Sequence, residues 1–221
     1  MTLLLYAIAD AGHVTPAGLS GLDGHPLRSV VQGRLAAVVG ECRAEPTATP
    51  DALVRFEQVV EELMGDGTVL PARFGTVLAD DTAAARLLVR RHGQFADALR
   101  RVEGAVELGV RAGWSDGDAA PGRPSGADAG AQYLLERLER RRRARDLADE
   151  IDAALGELAR ESSRRILGRP ESPVAAAYLV SRPRVDEFLA RCHSLSGTIA
   201  GASLVCTGPW PPYSFVTREE A

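Results

Sequence analysis

The sequence predicts an α+β fold, and three observations carry that expectation. Short apolar runs and stretches of helical periodicity succeed one another as βββαβα and then as βαβαβ. Each series resembles a ferredoxin-like unit with a piece missing or altered, and the second is one strand short of βαββαβ. No segment repeats at a fixed period, which argues against a solenoid or propeller. A length of 221 residues allows one large domain or two small ones.

Leu3–Ile8 is a short apolar run closed by Asp10 and Gly12, the pattern of a buried strand. His13–Pro26 repeats Gly, Pro and Asp and reads as loop. Leu27–Val31 and Leu35–Val39 read as a hairpin turning at Gln32-Gly33. Thr49-Pro50 then opens a helix, with Thr49 as cap, Pro50 in the first turn and Asp51 complementing the helix dipole. Leu53, Phe56, Val60, Leu63 and Met64 recur along one face of it, and Gly65 and Gly67 end it. Thr68–Leu78 reads as a strand that Pro71 interrupts, which implies an edge or a bulge. A helix capped by Asp81 or Thr82 runs to Val102, with Gly93 as its weak point.

Ala105–Ala112 is the next strand. Ser115–Gly130 holds no large apolar residue and reads as a flexible loop. From Ala131 to Leu167 the pattern is one long helix, roughly 55 Å at 1.5 Å per residue. Only its second half is amphipathic, through Ala144, Ala148, Ile151, Leu155, Leu158, Ser162 and Ile166. Val174–Val180, Val185–His193 and Ile199–Cys206 complete the chain as strand, helix and strand.

Hydrophobic residues make up 45% and charged residues 25%, the composition of a soluble globule. A net charge of −4 gives no general basic field for nucleic acid. All 26 basic residues are arginine. Three cysteines, Cys42, Cys192 and Cys206, are too few and too odd for a disulfide framework, so a reducing, cytoplasmic setting is expected. The first residues lack a basic lead and their apolar run is broken by Asp10, unlike a signal peptide. No window is long and apolar enough for a membrane span.

The last stretch is the most distinctive. Leu204–Phe215, LVCTGPWPPYSF, starts as a strand and should stop at Gly208-Pro209, because prolines remove donors and fix φ. Pro211-Pro212 should hold a short extended rod that presents Trp210, Tyr213 and Phe215. Such aromatics either plug the edge of a core or form a recognition surface. GPWPPYSF resembles the C-terminal signature of the gas vesicle protein family GvpF/GvpL. Leu70–Leu78, LPARFGTVL, is similar to that family's LPxRFGTxF segment, with Val77-Leu78 where an aromatic is frequent. Tyr133-Leu134 and Ala176–Arg182 match more weakly, and all four lie in family order.

The resemblance implies two domains, drawn here as 1–103 and 104–221, the second a modified ferredoxin-like fold with a long helix. It also implies a non-enzymatic accessory or minor structural protein of gas vesicle assembly, located on the vesicle or in the cytoplasm. Its implied partners are the hydrophobic major shell protein and other accessory proteins. A soluble protein with such a partner needs an apolar or aromatic patch. Arg73, Phe74, Trp210, Tyr213 and Phe215 are the candidate contact residues. In that reading RFGT and GPWPPY meet in one surface, with Gly75 leaving room for a neighbour such as Trp210. Within the aromatic set, Trp210 is expected to pack and Tyr213 and Phe215 to contact the partner.

Other constellations are weaker. Arg140–Arg143 with Arg137 and Arg145 point in several directions around a helix, and Glu136 and Glu139 stand four residues before Arg140 and Arg143. A self-paired, solvated helix explains them, and a contact with an acidic partner is the alternative. Cys192-His193 and Cys206 fit no metal spacing and lack the third group a nucleophilic site needs. Asp80-Asp81 suits a helix cap better than a cation. No phosphate-cradling glycine motif occurs, so no catalytic residue, cofactor or metal is assigned. Two further readings remain open at this point: a regulatory protein sensing a small molecule at the domain junction, and an enzyme using Cys192 or Cys206.

Overall fold

The computed structural model describes residues 1–65, 67–114, 129–167, 172–199 and 201–216. Helices and antiparallel strands give the expected α+β class. The chain forms two compact units, one of Met1–Val106 joined by the chain from Trp210 onward, the other of Glu107–Pro209. A division at 103/104 therefore misses that the C-terminal segment returns to the first unit. Of the stretch read as a flexible loop, 115–128 lies outside the described residues, and Gly130 is already helical.

The first unit is built around β1 (Thr2–Asp10), whose residues from Leu3 to Ala9 are all buried. β2 (Leu27–Gln32) and β3 (Leu35–Cys42) form the expected hairpin, and β3 pairs antiparallel with β1. The register of β1 against β3 slips between Leu5 and Ala7, so Tyr6 is an extra, bulged residue. Its ring is buried and its hydroxyl accepts the Leu22 N–H at 2.8 Å. Gly21 makes that possible, since a Cβ there would stand 2.7 Å from the hydroxyl. Two short strands, β4 (Val69–Pro71) and β5 (Val77–Leu78), pair with the other edge of β1.

α1 (Pro50–Met64) starts as the sequence dictates, with the Ala52 N–H donating to Thr49 Oγ1 at 3.2 Å. It packs against β1 with Phe56, Val59, Val60, Leu63 and Met64 buried, while Leu53 stays exposed at the rim. The helix expected over 82–102 is two helices, α2 (Asp81–Arg90) and α3 (His92–Val102). The break falls at Arg91, two residues before Gly93. Asp80 is the cap, accepting from Ala83 N–H at 2.7 Å. Asp81 receives both Arg28 guanidinium nitrogens, at 2.9 and 2.5 Å, which ties α2 to β2. This pairing holds the Asp81 carboxyl below the usual carboxylate range. Both aspartates thus have structural partners.

The second unit contains a strand in a stretch whose spacing predicts helix. β6 (Ala105–Trp114) is followed by α4 (Ala129–Leu155), which is about 40 Å long rather than 55. A single tight turn at Gly156–Leu158 ends it, and Ala159 is extended. β7 (Glu161–Ile166) then pairs antiparallel with β8 (Val174–Ser181), from Glu161 opposite Leu179 to Ile166 opposite Val174. Gly156, Ser162 and Ser163 are poor helix formers. Ser162 and Ile166 are four apart, a spacing compatible with a helix stripe and also with one face of a strand. Arg164 of β7 reaches back to α4, 2.7 Å from Asp149 and 3.7 Å from Asp152.

With α5 (Val185–Thr198) and β9 (Ala202–Trp210), the element order becomes βαββαβ and the sheet order β7-β8-β6-β9. That is the element order of a ferredoxin-like unit, and the strand thought missing is β7. The core lies between sheet and helices, with Leu108, Ile151, Leu155, Tyr178 and Phe188 essentially inaccessible. Burial pushes the Tyr178 hydroxyl pKa up, and the neighbouring Asp152 charge adds to it.

Candidate functional site

The RFGT stretch is not a continuous strand. β4 pairs with Ala7–Ala9, and β5 pairs with Leu3 and Leu4 of the same strand. Residues 72–76 stand opposite only Leu5 and Tyr6, so they must leave the sheet. The exit is fixed by Ala72 N–H to Tyr6 O at 2.8 Å and the return by Leu5 N–H to Thr76 O at 2.9 Å. Between them Thr76 N–H donates to Arg73 O at 3.1 Å, and its hydroxyl donates to the same oxygen at 2.7 Å.

Gly75 in this turn has φ +82°, the value a type II turn demands of its third residue. No described atom comes within 4 Å of where its Cβ would be. Gly75 is therefore required by backbone conformation, not by a close neighbour such as Trp210. Gly75→Ala is expected to lower stability by about 1 kcal/mol without any steric clash. Equal melting temperatures for the two proteins would contradict the turn assignment.

The turn leaves Arg73 and Phe74 both partly accessible and directs the Phe74 ring onto α1. Phe74 meets Phe56 edge-on, with ring centroids 5.3 Å apart, and Phe56 stacks on Tyr6 at 5.0 Å. The bulged Tyr6 is thus the floor of an aromatic stack that holds the turn, an arrangement favoured over face-to-face pairing.

The proline segment also departs from expectation. β9 does not stop at Gly208-Pro209 but runs through Trp210. It is an edge strand, where a missing N–H is tolerated. Pro211 and Pro212 do not form an extended rod. Pro212 has φ −78° and ψ 57°, and Tyr213 N–H donates to Pro211 O at 2.8 Å, an inverse γ-turn. A tight helical turn, Tyr213–Phe215, comes directly after it. This compaction swings Phe215 into the first unit, where it is 4% exposed, and Arg101 of α3 donates to its carbonyl oxygen.

In burial, the order expected within the aromatics is reversed, with Phe215 the packed side chain. Trp210 is the open one at 38% exposure, and Tyr213 is half-buried. Arg101 and the Tyr6–Phe56 platform are supports that sequence reasoning misses. Arg101 and Phe215 are 114 residues apart, and no local pattern links them.

The cysteine constellation separates. Cys192 of α5 is buried beside half-exposed Cys206 of β9, their side chains hydrogen-bonded, whereas His193 faces solvent. The Cys192 thiol donates to Cys206, which raises the Cys192 pKa and lowers that of Cys206; the Thr207 backbone also favours the Cys206 thiolate. A nucleophilic site would need a base and an orienting group as well. Cys206 is expected to react with iodoacetamide before Cys192 and Cys42 in the folded protein; a faster Cys192 would contradict this geometry.

The arginine run is partly absorbed by its own unit. Arg143 lies 4.8 Å over the Trp114 ring, Arg140 turns back to the Glu136 carbonyl, and Arg142 stands 3.9 Å from Asp146. Among the described residues no cluster of His, Cys, Asp or Glu could hold a metal ion, and no helix is long and apolar enough to cross a membrane.

A sequence profile described as gas vesicle synthesis protein GvpL/GvpF matches residues 2–217. Gas vesicle protein L of Streptomyces sp. (strain CB03234) is 32% identical to this chain, covering 91% of it and 87% of the relative. Gas vesicle protein F of the same strain is 28% identical, covering 98% of this chain and 100% of the relative. The crystal structure of GvpF from Anabaena sp. PCC7120 superposes with a TM-score of 0.85 at 21% identity, over 99% of this chain and 97% of that one. GvpF from Microcystis aeruginosa superposes with a TM-score of 0.81 at 20% identity, over 98% and 99%. At such identities the two structures speak for the fold.

Proposed function

Because the chain belongs to the GvpL/GvpF family of gas vesicle synthesis proteins, we propose that it is a non-enzymatic accessory or minor structural protein of vesicle assembly. In this reading it works in the cytoplasm and on the nascent vesicle, binds the hydrophobic shell protein, and aids nucleation or assembly alongside other accessory proteins.

The observation that carries the shell-binding part is the state of Trp210. An indole is left 38% exposed at the end of an edge strand, between two prolines that restrict its backbone, on a segment anchored by buried Phe215. Rigidity of that kind lowers the ordering cost of binding, and Trp is among the residues most enriched at binding hot spots. Arg73, Phe74 and Tyr213 are the further contact residues of this reading, each at least partly accessible.

The test is complementation in a vesicle-forming host lacking its own copy of this gene. Wild-type chain and a Cys192→Ser/Cys206→Ser variant should both restore vesicles seen by electron microscopy. Trp210→Ala, folded and expressed equally, should restore few or none. Vesicle loss in the cysteine variant with normal folding would contradict a non-enzymatic role.

A further inference from the structure

We propose that the N-terminal half of α4 is a second docking surface, for an acidic amphipathic helix of a partner protein. From Gly130 to Arg143, about four turns of helix, no side chain is buried. The buried stripe of α4 begins only at Ala144 and continues through Leu147, Ala148, Ile151 and Leu155. Yet the unburied half is not wholly polar: Tyr133, 48% exposed, continues the line of the buried stripe, while Leu134, Leu135 and Leu138, at 57%, 67% and 64% exposed, form a second apolar side. At 100° per residue these leucines centre about 130° around the helix from the buried stripe. They cannot be an overrun of the core face. α4 thus carries two apolar stripes, one for its own sheet and one that no described residue covers.

The residues beyond the second stripe select its occupant. Leu134, Leu138, Arg141 and Arg145 are spaced by four, three and four positions, the seam of a two-helix coil. The seam is apolar for one heptad and basic for the next, and Arg141, Arg142 and Arg145 are all exposed. A complementary helix places leucine-like side chains against the first part and carboxylates against the second. A second copy of this chain, paired antiparallel through Leu138, would set those arginines against Leu134 and Ala131, with no carboxylate to meet them. An anionic bilayer is disfavoured because Glu139 borders the stripe beside Leu135 and the apolar part covers only about two turns. Residues 115–128 contain no large apolar side chain with which to cover the leucines. This surface is independent of Trp210, so its failure would leave the shell-binding reading untouched.

The probe is a designed, fluorescein-labelled helical peptide with leucines on the seam of one heptad and glutamates on the seam of the next. Its control is the same composition in scrambled order. Fluorescence anisotropy on the full chain should show binding of the designed peptide, weakened by salt, and at least about tenfold weaker scrambled binding. Leu134→Ala/Leu138→Ala and Arg141→Glu/Arg145→Glu should each lose about tenfold or more while melting as wild type, since all four side chains are exposed. A peptide with arginines in place of the glutamates should recover binding to the charge-reversed variant. Failure of the designed peptide to bind, equal binding of the scrambled peptide, or unchanged affinity in the leucine variant would overturn the proposal. So would self-association in sedimentation that Leu138→Glu abolishes, which would assign the face to a second copy. Displacement of the peptide by phosphatidylserine vesicles, with the chain itself sedimenting with them, would assign the face to a membrane.

Discussion

Phe215→Ala destabilises the first unit by about 3–5 kcal/mol, the cost of removing a buried aromatic side chain. The phenyl ring is 4% exposed, and its own carbonyl is held by Arg101. Truncation leaves a cavity and loosens the clamp that returns the C-terminal segment to its unit. Trp210→Ala, five residues earlier on the same segment, changes stability by only about 1 kcal/mol because the indole is already partly in water. Thermal unfolding of the two variants checks the contrast. A larger loss for Trp210→Ala than for Phe215→Ala would restore the order expected from sequence and undo the assignment of anchor and contact.

Phe56→Ala has an effect of comparable size, again about 3–5 kcal/mol, and a second consequence that stability alone does not report. Phe56 is the middle ring of the Tyr6–Phe56–Phe74 stack. Without it the 72–76 turn keeps its backbone hydrogen bonds but loses the side chain that Phe74 rests on. Hydrogen exchange at Ala72 and Thr76, whose amides donate to Tyr6 and Arg73, should quicken beyond the global loss of stability. Protection at those two amides that falls only in step with the rest of β1 would show that the stack does not hold the turn.

Both variants probe contacts between residues far apart in the chain, and that is where sequence reasoning stops. Local chemistry was legible. The Thr49 cap, the Gly33-centred hairpin and the burial of β1 follow from residues close in sequence. Family likeness was legible too, through GPWPPYSF and LPARFGTVL. What was not legible was set at long range. β7 satisfies the spacing of a helix stripe as well as that of a strand, and only pairing with β8 decides between them. The prolines of 209–212 announce rigidity but not direction. An inverse γ-turn rather than an extended rod sends Phe215 inward, and that outcome depends on Arg101, over a hundred residues away. Gly75 shows the same limit: its identity stands out in the sequence, while the reason for it, a positive φ, belongs to the turn that bulged Tyr6 imposes.

In the proposed function, an exposed, rigidly held Trp210 contacts the shell protein. The most direct test of that contact is the affinity of purified wild-type and Trp210→Ala chains for a major gas vesicle shell protein, measured with both chains shown to be folded. The expected result is a loss of about 2 kcal/mol or more, roughly thirtyfold, with a smaller loss for Arg73→Ala and near-wild-type melting in both. Equal affinity of wild type and Trp210→Ala would contradict a contact at Trp210 and place any shell-binding surface elsewhere on the molecule.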